Sequence, residues 1–207
     1  METLEKASSA IIQPGRRAQK KKDTRSQLAR VAQRLFIEQG FDETSMEEIA
    51  QQAGVSRRTC FRYFPSKEAL AFPFREHRLA RFDALICGGP PQETPYEAVK
   101  RACLVMAGEY MSRREDVVSL EHLVRAHPQL RARERENDRH WEAVIARALA
   151  RSKDDRLAGV VGGAVMGAVR SAFELWLESD GRLNLIELVQ QVFVLLDHGA
   201  PALLAQR

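Results

Sequence analysis

The chain lacks most of the features that mark secreted, metal-binding and membrane-spanning proteins. Three cysteines in 207 residues are too few, and odd in number, for a disulfide framework, and none has the spacing of a metal site. The first residues do not follow the basic-then-apolar order of a signal peptide, and the longest apolar run, residues 157–169, is too short to span a bilayer. We therefore expect a cytoplasmic protein without a metal and without a membrane segment.

The patterns of common enzymes are also missing. The five histidines never form a His-x-x-x-His pair, and neither a Gly-x-Ser-x-Gly motif nor a glycine loop that could hold phosphates occurs. The sequence therefore argues against an enzyme and predicts no cofactor.

Alternating apolar and polar residues, the pattern of a half-buried strand, are absent as well. Helical spacing of apolar residues is present instead, and it predicts an all-α fold. Beyond residue 95 the predicted helices are 96–112, 115–126, 128–151, 154–178 and 183–198.

A capped helix is indicated shortly after residue 41. Thr44 or Ser45 can cap its first turn, with Glu47 or Glu48 reaching back in a capping box. Gly54 suits the left-handed conformation that ends a helix. One face of this helix is apolar and is formed by Met46, Ile49, Ala50 and Ala53.

A second, basic helix follows after a short turn. Ser56 can cap it, and Cys60, Phe61 and Phe64 are predicted to face inward. The outward residues are Arg57, Arg58, Thr59, Arg62 and Tyr63. Guanidinium groups can pair with guanine or hold phosphates, so this surface suits the major groove of DNA. An ordinary helical hairpin, or arginines that only solubilise a helix, are the plainer interpretations.

Charge is distributed unevenly along the chain. The first 67 residues hold 13 Lys/Arg against 8 Asp/Glu, whereas the remainder is nearly balanced. The excess of positive charge therefore lies in the part of the chain that contains the two predicted DNA-binding helices. We expect a basic, irregular arm over residues 1–22, a helix-turn-helix domain over 23–70, and a larger helical domain over 71–207. The arm either touches phosphates or the minor groove, or is a solvated tail.

A helix beginning after Ser66 is predicted to continue to about Ile86 and to kink at Pro73, because proline removes a hydrogen bond and clashes with the preceding turn. Pro73 is then either a pivot that transmits movement or a tolerated kink.

Two segments carry a family resemblance: Ile49-Ala50-x-x-Ala53-Gly54-Val55-Ser56 and Phe64-Pro65-Ser66-Lys67-Glu68-x-Leu70. Residues 23–70 resemble the DNA-binding domain of the tetracycline-repressor (TetR) family of bacterial transcription regulators. The resemblance implies a homodimer that binds a palindromic operator, blocks transcription, and releases DNA when a small molecule enters its C-terminal domain.

The resemblance also implies roles for individual residues. Thr44 or Ser45, Tyr63 and Lys67 would contact phosphates. The residues in or beside the groove would be Arg57, Arg58, Thr59 and Arg62. The sequence departs from the family pattern at Cys60 and at Phe61, which lacks the hydroxyl of the frequent tyrosine. Cys60 is interpreted as a small buried residue in preference to a redox switch.

The segment Arg57-Arg58-Thr59-x-Phe61-Arg62-Tyr63, together with Pro73, resembles the corresponding sequence in one subset of the family. This subset includes regulators of mycofactocin gene clusters. That similarity implies acyl-coenzyme A effectors.

Small residues recur every fourth position late in the chain, at Gly159, Gly163, Gly167 and Ser171. They form one ridge on a helix and indicate a close approach, either of a dimer partner or of a ligand. The apolar helix over residues 185–196 could complete a four-helix bundle with its symmetry mate.

The candidate effector contacts are large or polarizable side chains of the larger domain. An apolar pocket would favour a hydrophobic or amphipathic effector, and Arg170 could pair with an anionic head or form a surface salt bridge. The candidates are Met106, Tyr110, His122, Trp141, Met166, Arg170, Phe173 and Trp176. Each could instead be a core residue. The alternative function is a DNA-binding protein of the same fold that is controlled by a partner or has no small effector.

Overall fold

The computed structural model describes residues 16–150 and 156–198, and these residues form ten helices and no strand. The all-α prediction is confirmed. In chain order the helices are α1 Arg16–Gln39, α2 Met46–Gln52, α3 Arg57–Tyr63, α4 Lys67–Ala71, α5 Arg75–Cys87, α6 Pro95–Met111, α7 Arg114–Ala126, α8 Pro128–Leu149, α9 Arg156–Glu178 and α10 Leu185–His198. The chain divides into two structural units between Pro73 and Phe74.

The first helix is longer than the sequence indicated. It begins at Arg16, so residues 16–22, which we expected in an irregular arm, belong to a helix of 24 residues. The rest of the predicted arm, residues 1–15, lies outside the described residues.

Each short helix of the first unit begins directly after a serine that caps it. The Ser45 side chain accepts a hydrogen bond from the backbone N–H of Glu48, and Ser56 does the same for Thr59. Gly54 has a φ of +64°, in the left-handed region, and therefore allows the sharp turn between α2 and α3. The core beneath these helices is apolar and includes Leu28, Ala32, Phe36, Ile49, Ala50, Cys60, Phe64 and Leu70.

The predicted kinked helix after Ser66 is two separate helices. Ser66 caps α4, as expected, but α4 ends at Ala71 and α5 begins only at Arg75. Pro73 therefore lies in the connection between two helices, where its missing N–H costs no helical hydrogen bond.

The second unit is built from α5 to α10, and the bounds of α6 to α10 lie close to the prediction. Thr94 and Glu97 form a capping box at the start of α6, and Pro95 occupies its first turn. The core of this unit contains Phe82, Val99, Met106, Ile145, Val165, Trp176, Leu185, Val189 and Phe193.

Helices α8 and α9 approach each other closely at Gly162. A Cβ atom there would lie 3.1 Å from the backbone nitrogen of Ala146 and 3.2 Å from the carbonyl oxygen of Glu142. This contact lies beside the predicted ridge of Gly159, Gly163 and Gly167, so the approach of a dimer partner or ligand to that ridge stays a prediction.

Among the described helices, α9 is long and apolar enough to cross a membrane by length and composition alone, which is weak grounds for a membrane protein. The inward side chains of α9, among them Trp176 at 0% exposure, pack into the core of the second unit. Its apolar character is thus partly explained by this core.

Candidate nucleic-acid interface

The orientation of α3 is set by two side chains on its inner face. Cys60 and Phe64 are 0% and 1% exposed, so they fix which side of the helix faces away from the core. Burial raises the pKa of the Cys60 thiol, with a smaller contribution from the nearby Glu47 carboxylate. The thiol is therefore held in its neutral form, which fits the prediction of a small buried residue better than a redox switch.

Three arginines lie on the outer side of α3, and all three are exposed. Arg57 Nη1 is 2.6 Å from Glu47 Oε1, which ties it to α2. The Arg62 guanidinium carbon lies 5.5 Å from the ring centre of Tyr63. Arg58 forms no ion pair with any described residue. The face thus carries a cationic cluster in which Arg58 is the least constrained member.

Phe61 contradicts the prediction that it faces inward. Phe61 is 38% exposed, and the guanidinium carbon of Arg57 lies 5.5 Å from the centre of its ring. The helical spacing explains the difference, because Phe61 is four residues after Arg57 and three after Arg58 and so shares their face.

Thr44, one of the two alternatives for a phosphate contact, is a buried residue. It is only 2% exposed, and its hydroxyl donates to the carbonyl oxygen of Gly40 at 2.7 Å while accepting from Gln39. Its hydroxyl is therefore engaged inside the domain. Of the two alternatives, Ser45 is the exposed one, although its hydroxyl oxygen already accepts from the Glu48 N–H.

Lys67 also stabilises the domain internally. Its ammonium group donates to the carbonyl oxygens of Phe41 and Asp42 and lies 4.5 Å from the ring centre of Phe41. A role in holding the loop before α2 to the start of α4 fits these contacts better than a free phosphate contact.

Thr59 and Tyr63, which were also predicted to contact DNA, are half-buried. The Thr59 hydroxyl accepts a hydrogen bond from the Ser56 hydroxyl at 2.9 Å.

Sequence reasoning missed Arg25, which holds the end of α3 in place. Its side chain donates to the carbonyl oxygens of Pro73 (3.1 Å) and Tyr63 (3.3 Å), and its guanidinium lies 4.5 Å from the ring centre of Phe64. These partners are 38 or more positions away in sequence, so no local pattern could have identified them.

The effector candidates of the second unit fall into separate groups. Tyr110 and Phe173 lie 5.4 Å apart between ring centres, and Phe173 lies 5.5 Å from Trp176. Trp141 instead packs against Phe82 at 4.9 Å. Met106 is buried and Met166 is half-buried, and both belong to or border the core.

The two polar candidates lie in surface ion pairs. His122 Nε2 is 3.4 Å from the Asp180 carboxylate, and both side chains are more than half exposed. Arg170 donates to Asp138 at 3.0 Å, and this hydrogen bond raises the pKa of Arg170. The salt-bridge interpretation of Arg170 is therefore the one that its contacts support, and His122 does not join the aromatic group.

A carboxyl pair in the second unit was not anticipated. Burial, followed by the charge and hydrogen bond of Glu134, raises the pKa of Glu121 to about 8. Glu134 also has a raised pKa, mainly from burial. Arg78 and Arg125 oppose the shift of Glu121, and Asp138 and Glu174 act on Glu134. Arg78 also lies 5.8 Å from the ring centre of Tyr110, which links this pair to the aromatic group.

The outer face of α9 is apolar and unpaired within the described residues. A Cβ atom added at Gly159, Gly163 or Gly167 would meet nothing within 4 Å. The large apolar side chains exposed on this helix are Leu157, Val160, Val161 and Leu175. We call these seven residues the α9 face.

Comparison with known proteins identifies the family of the chain. Residues 28–72 match the family described as bacterial regulatory proteins, tetR family, and residues 93–201 match the MftR C-terminal domain. The chain therefore belongs to the TetR family, is a transcriptional regulator with a helix-turn-helix DNA-binding domain, and is not an enzyme. Within that family it belongs to the mycofactocin-regulator-like subset.

Individual relatives agree with this assignment. The chain is 28% identical over 178 residues to a Mycobacterium tuberculosis protein named as the mycofactocin biosynthesis regulator MftR, covering 82% of this chain and 87% of that protein. It is 38% identical over 95 residues to the regulator TcmR of Streptomyces glaucescens, covering 46% and 42% of the two chains.

Solved structures share the fold at low identity. FadR of Bacillus halodurans, a fatty acid degradation regulator, matches with a TM-score of 0.64 at 19% identity, covering 84% of this chain and 98% of that one. FadR of Thermus thermophilus, solved with lauroyl-CoA, matches with a TM-score of 0.58 at 24% identity, covering 84% and 94%.

The carboxyl pair predicts a pH-dependent stability. The folded chain keeps the Glu121 proton to a higher pH than the unfolded chain, so this group's contribution to the free energy of unfolding is full below about pH 4.5 and is lost as pH rises through about 8. Glu121→Gln removes this titration, and urea unfolding across that range should show a smaller loss of stability than in the wild type.

The exposed Glu115 on the same helix provides the matched control. Glu115→Gln should retain the wild-type dependence of stability on pH. Equal pH dependence in the Glu121→Gln variant and the wild type would contradict the assignment.

Proposed function

We propose that this regulator is a repressor that acts in the cytoplasm, binds a palindromic operator as a homodimer, and is released by a hydrophobic or amphipathic effector. The observation that carries the DNA part is the outer face of α3, where three exposed arginines stand on a helix fixed by the burial of Cys60 and Phe64. Arginine side chains can read guanine in the major groove and hold the phosphates beside it.

The α9 face supports the homodimer. It combines exposed apolar side chains with three glycines that have open space in front of them, so a second helix could approach its backbone closely. Contiguous exposed apolar surface of this kind marks interaction sites. A two-fold dimer would pair this face with itself and would present two copies of α3 to the two half-sites of a palindrome.

An acyl-coenzyme A is the effector class we favour. Two structures of similar fold, the FadR proteins of Thermus thermophilus and Bacillus subtilis, were solved with lauroyl-CoA and stearoyl-CoA. In this chain the aromatic group of Tyr110, Phe173 and Trp176 could receive the acyl chain. Trp176 Nε1 is a buried donor without a hydrogen-bond partner among the described residues, so a ligand acceptor could satisfy it.

Control of DNA binding would pass through the connection between the two units. The chain runs directly from α4 through Pro73 into α5, and Arg25 binds the carbonyl oxygen of Pro73. A ligand that displaces α5 would therefore act on α1 and α3 through this arginine. In a dimer, a small change in the spacing of the two α3 helices prevents both from docking at once.

Operator binding tests the proposal. Genomic footprinting or binding-site selection with the full chain should return a palindrome, and Arg58→Ala should weaken binding to it by about 1 to 3 kcal/mol while relaxing the preferred base at one position. Arg139→Ala, at an exposed arginine of α8, is the control and should bind as the wild type does. Failure to select any sequence would refute the DNA part.

Disrupting the α9 face tests the dimer. Val160 is 69% exposed, so Val160→Glu should leave the fold intact but place an unpaired charge in the dimer interface. Analytical ultracentrifugation should then detect monomers that no longer bind the palindrome. The matched variant Ala143→Glu, at an exposed position of α8, should remain dimeric. A dimeric Val160→Glu variant would place the interface elsewhere.

Calorimetric titration tests the effector class. Lauroyl-CoA and stearoyl-CoA should each bind the dimer and release it from the operator, whereas coenzyme A alone should bind much more weakly because the apolar chain supplies most of the buried area. Phe173→Ala should weaken acyl-CoA binding, and His122→Ala, at a surface ion pair, should not. An absence of heat at saturating acyl-CoA would favour control by another effector or by a partner protein.

A further inference from the structure

Phe61 is a large apolar side chain on a face that is otherwise cationic. It is 38% exposed, and the residues that share its side of α3 are Arg57 and Arg58. We propose that Phe61 is a specificity-determining residue that contacts the C5-methyl group of thymine in the operator. This inference rests on the proposed DNA-binding function and adds a base that the arginines do not read.

The direction in which Phe61 points is determined by the packing of α3. Because Cys60 and Phe64 occupy the core, rotating the helix to bury Phe61 would expose both of them. The benzyl group is therefore held on the same side as Arg57 and Arg58, which lie four and three positions before it. DNA bound against Arg57 and Arg58 would therefore face the side of α3 that carries this ring.

The ring is also restrained by neighbouring groups. The Arg57 guanidinium carbon lies 5.5 Å from the Phe61 ring centre, within the range of a cation–π contact. Arg57 is in turn bound to Glu47 of α2 at 2.6 Å. These contacts, which run from Glu47 through Arg57 to Phe61, favour the observed position of the ring.

The chemistry of phenylalanine narrows the choice of partner. Its ring has no hydroxyl and so cannot donate to a phosphate or form a hydrogen bond with a base edge. In the major groove the apolar group is the thymine methyl, which only one of the four bases carries. Contact with it removes apolar surface of both partners from water, which is favourable.

The size of the expected effect follows from the apolar area involved. Burying one methyl group contributes about as much as one buried CH₂, which corresponds to about a fourfold change in affinity. A palindromic site bound by two copies of Phe61 would show this change twice.

Deoxyuridine substitution isolates this contact, because it removes the thymine methyl and leaves every hydrogen-bonding group in place. The full chain is first used to select its operator, and each thymine is then replaced by deoxyuridine in turn, with fluorescence anisotropy as the readout. We expect wild-type affinity to fall about fourfold at one position of each half-site. Phe61→Ala should bind the thymine and deoxyuridine operators equally at that position.

Two further variants make the result specific to Phe61. Arg58→Ala should bind more weakly but keep the wild-type preference for thymine over deoxyuridine, since it leaves the ring in place. Phe61→Leu retains an apolar side chain, so its preference for thymine over deoxyuridine should lie between those of the wild type and Phe61→Ala. This variant provides the measurement if Phe61→Ala binds too weakly. Circular dichroism melting establishes that each variant is folded.

The outcomes separate this inference from the function on which it rests. A wild-type chain that selects an operator but is insensitive to deoxyuridine at every position overturns the thymine contact alone. An unchanged preference for thymine in Phe61→Ala also overturns it. A wild-type chain that selects no DNA sequence refutes the proposed function and this inference with it.

Discussion

The burial of Cys60 and Phe64 is the constraint on which the DNA-facing surface depends. A helix of seven residues has little stability of its own, so its position is determined by what it packs against. With these two side chains in the core, Arg57, Arg58, Phe61 and Arg62 must face away from it. Which residues α3 exposes is therefore determined by which residues its inner face buries.

Long polar side chains then hold the short helices in this arrangement. Lys67 binds the carbonyl oxygens of Phe41 and Asp42, and Arg25 binds those of Tyr63 and Pro73. Basic residues in this domain thus have two distinct uses. Those that end on backbone carbonyls stabilise the domain, whereas Arg58 ends in solvent and is available to DNA. Residue type alone does not separate these uses, because both kinds of residue are positively charged. Arg25 and Lys67 are half-buried, whereas Arg58 is exposed.

The second unit has a different organisation, in which one helix serves two surfaces. Helix α9 packs Trp176 into the core and Gly162 against α8, while its glycines at 159, 163 and 167 face open space. The spacing of four residues places three of these glycines on one face and Gly162 on another. The core-facing side of α9 and its exposed apolar side are therefore opposite sides of the same helix.

The sequence by itself determined the all-α class, the bounds of most helices, the serine caps and the family, because these depend on local spacing and on short motifs. It also placed the three arginines on one exposed helix. Only the tertiary structure decided the direction of Phe61, the internal roles of Thr44, Lys67 and Arg25, and the proximity of Glu121 to Glu134. These features depend on which atoms meet across positions distant in sequence, and helical periodicity does not contain that information.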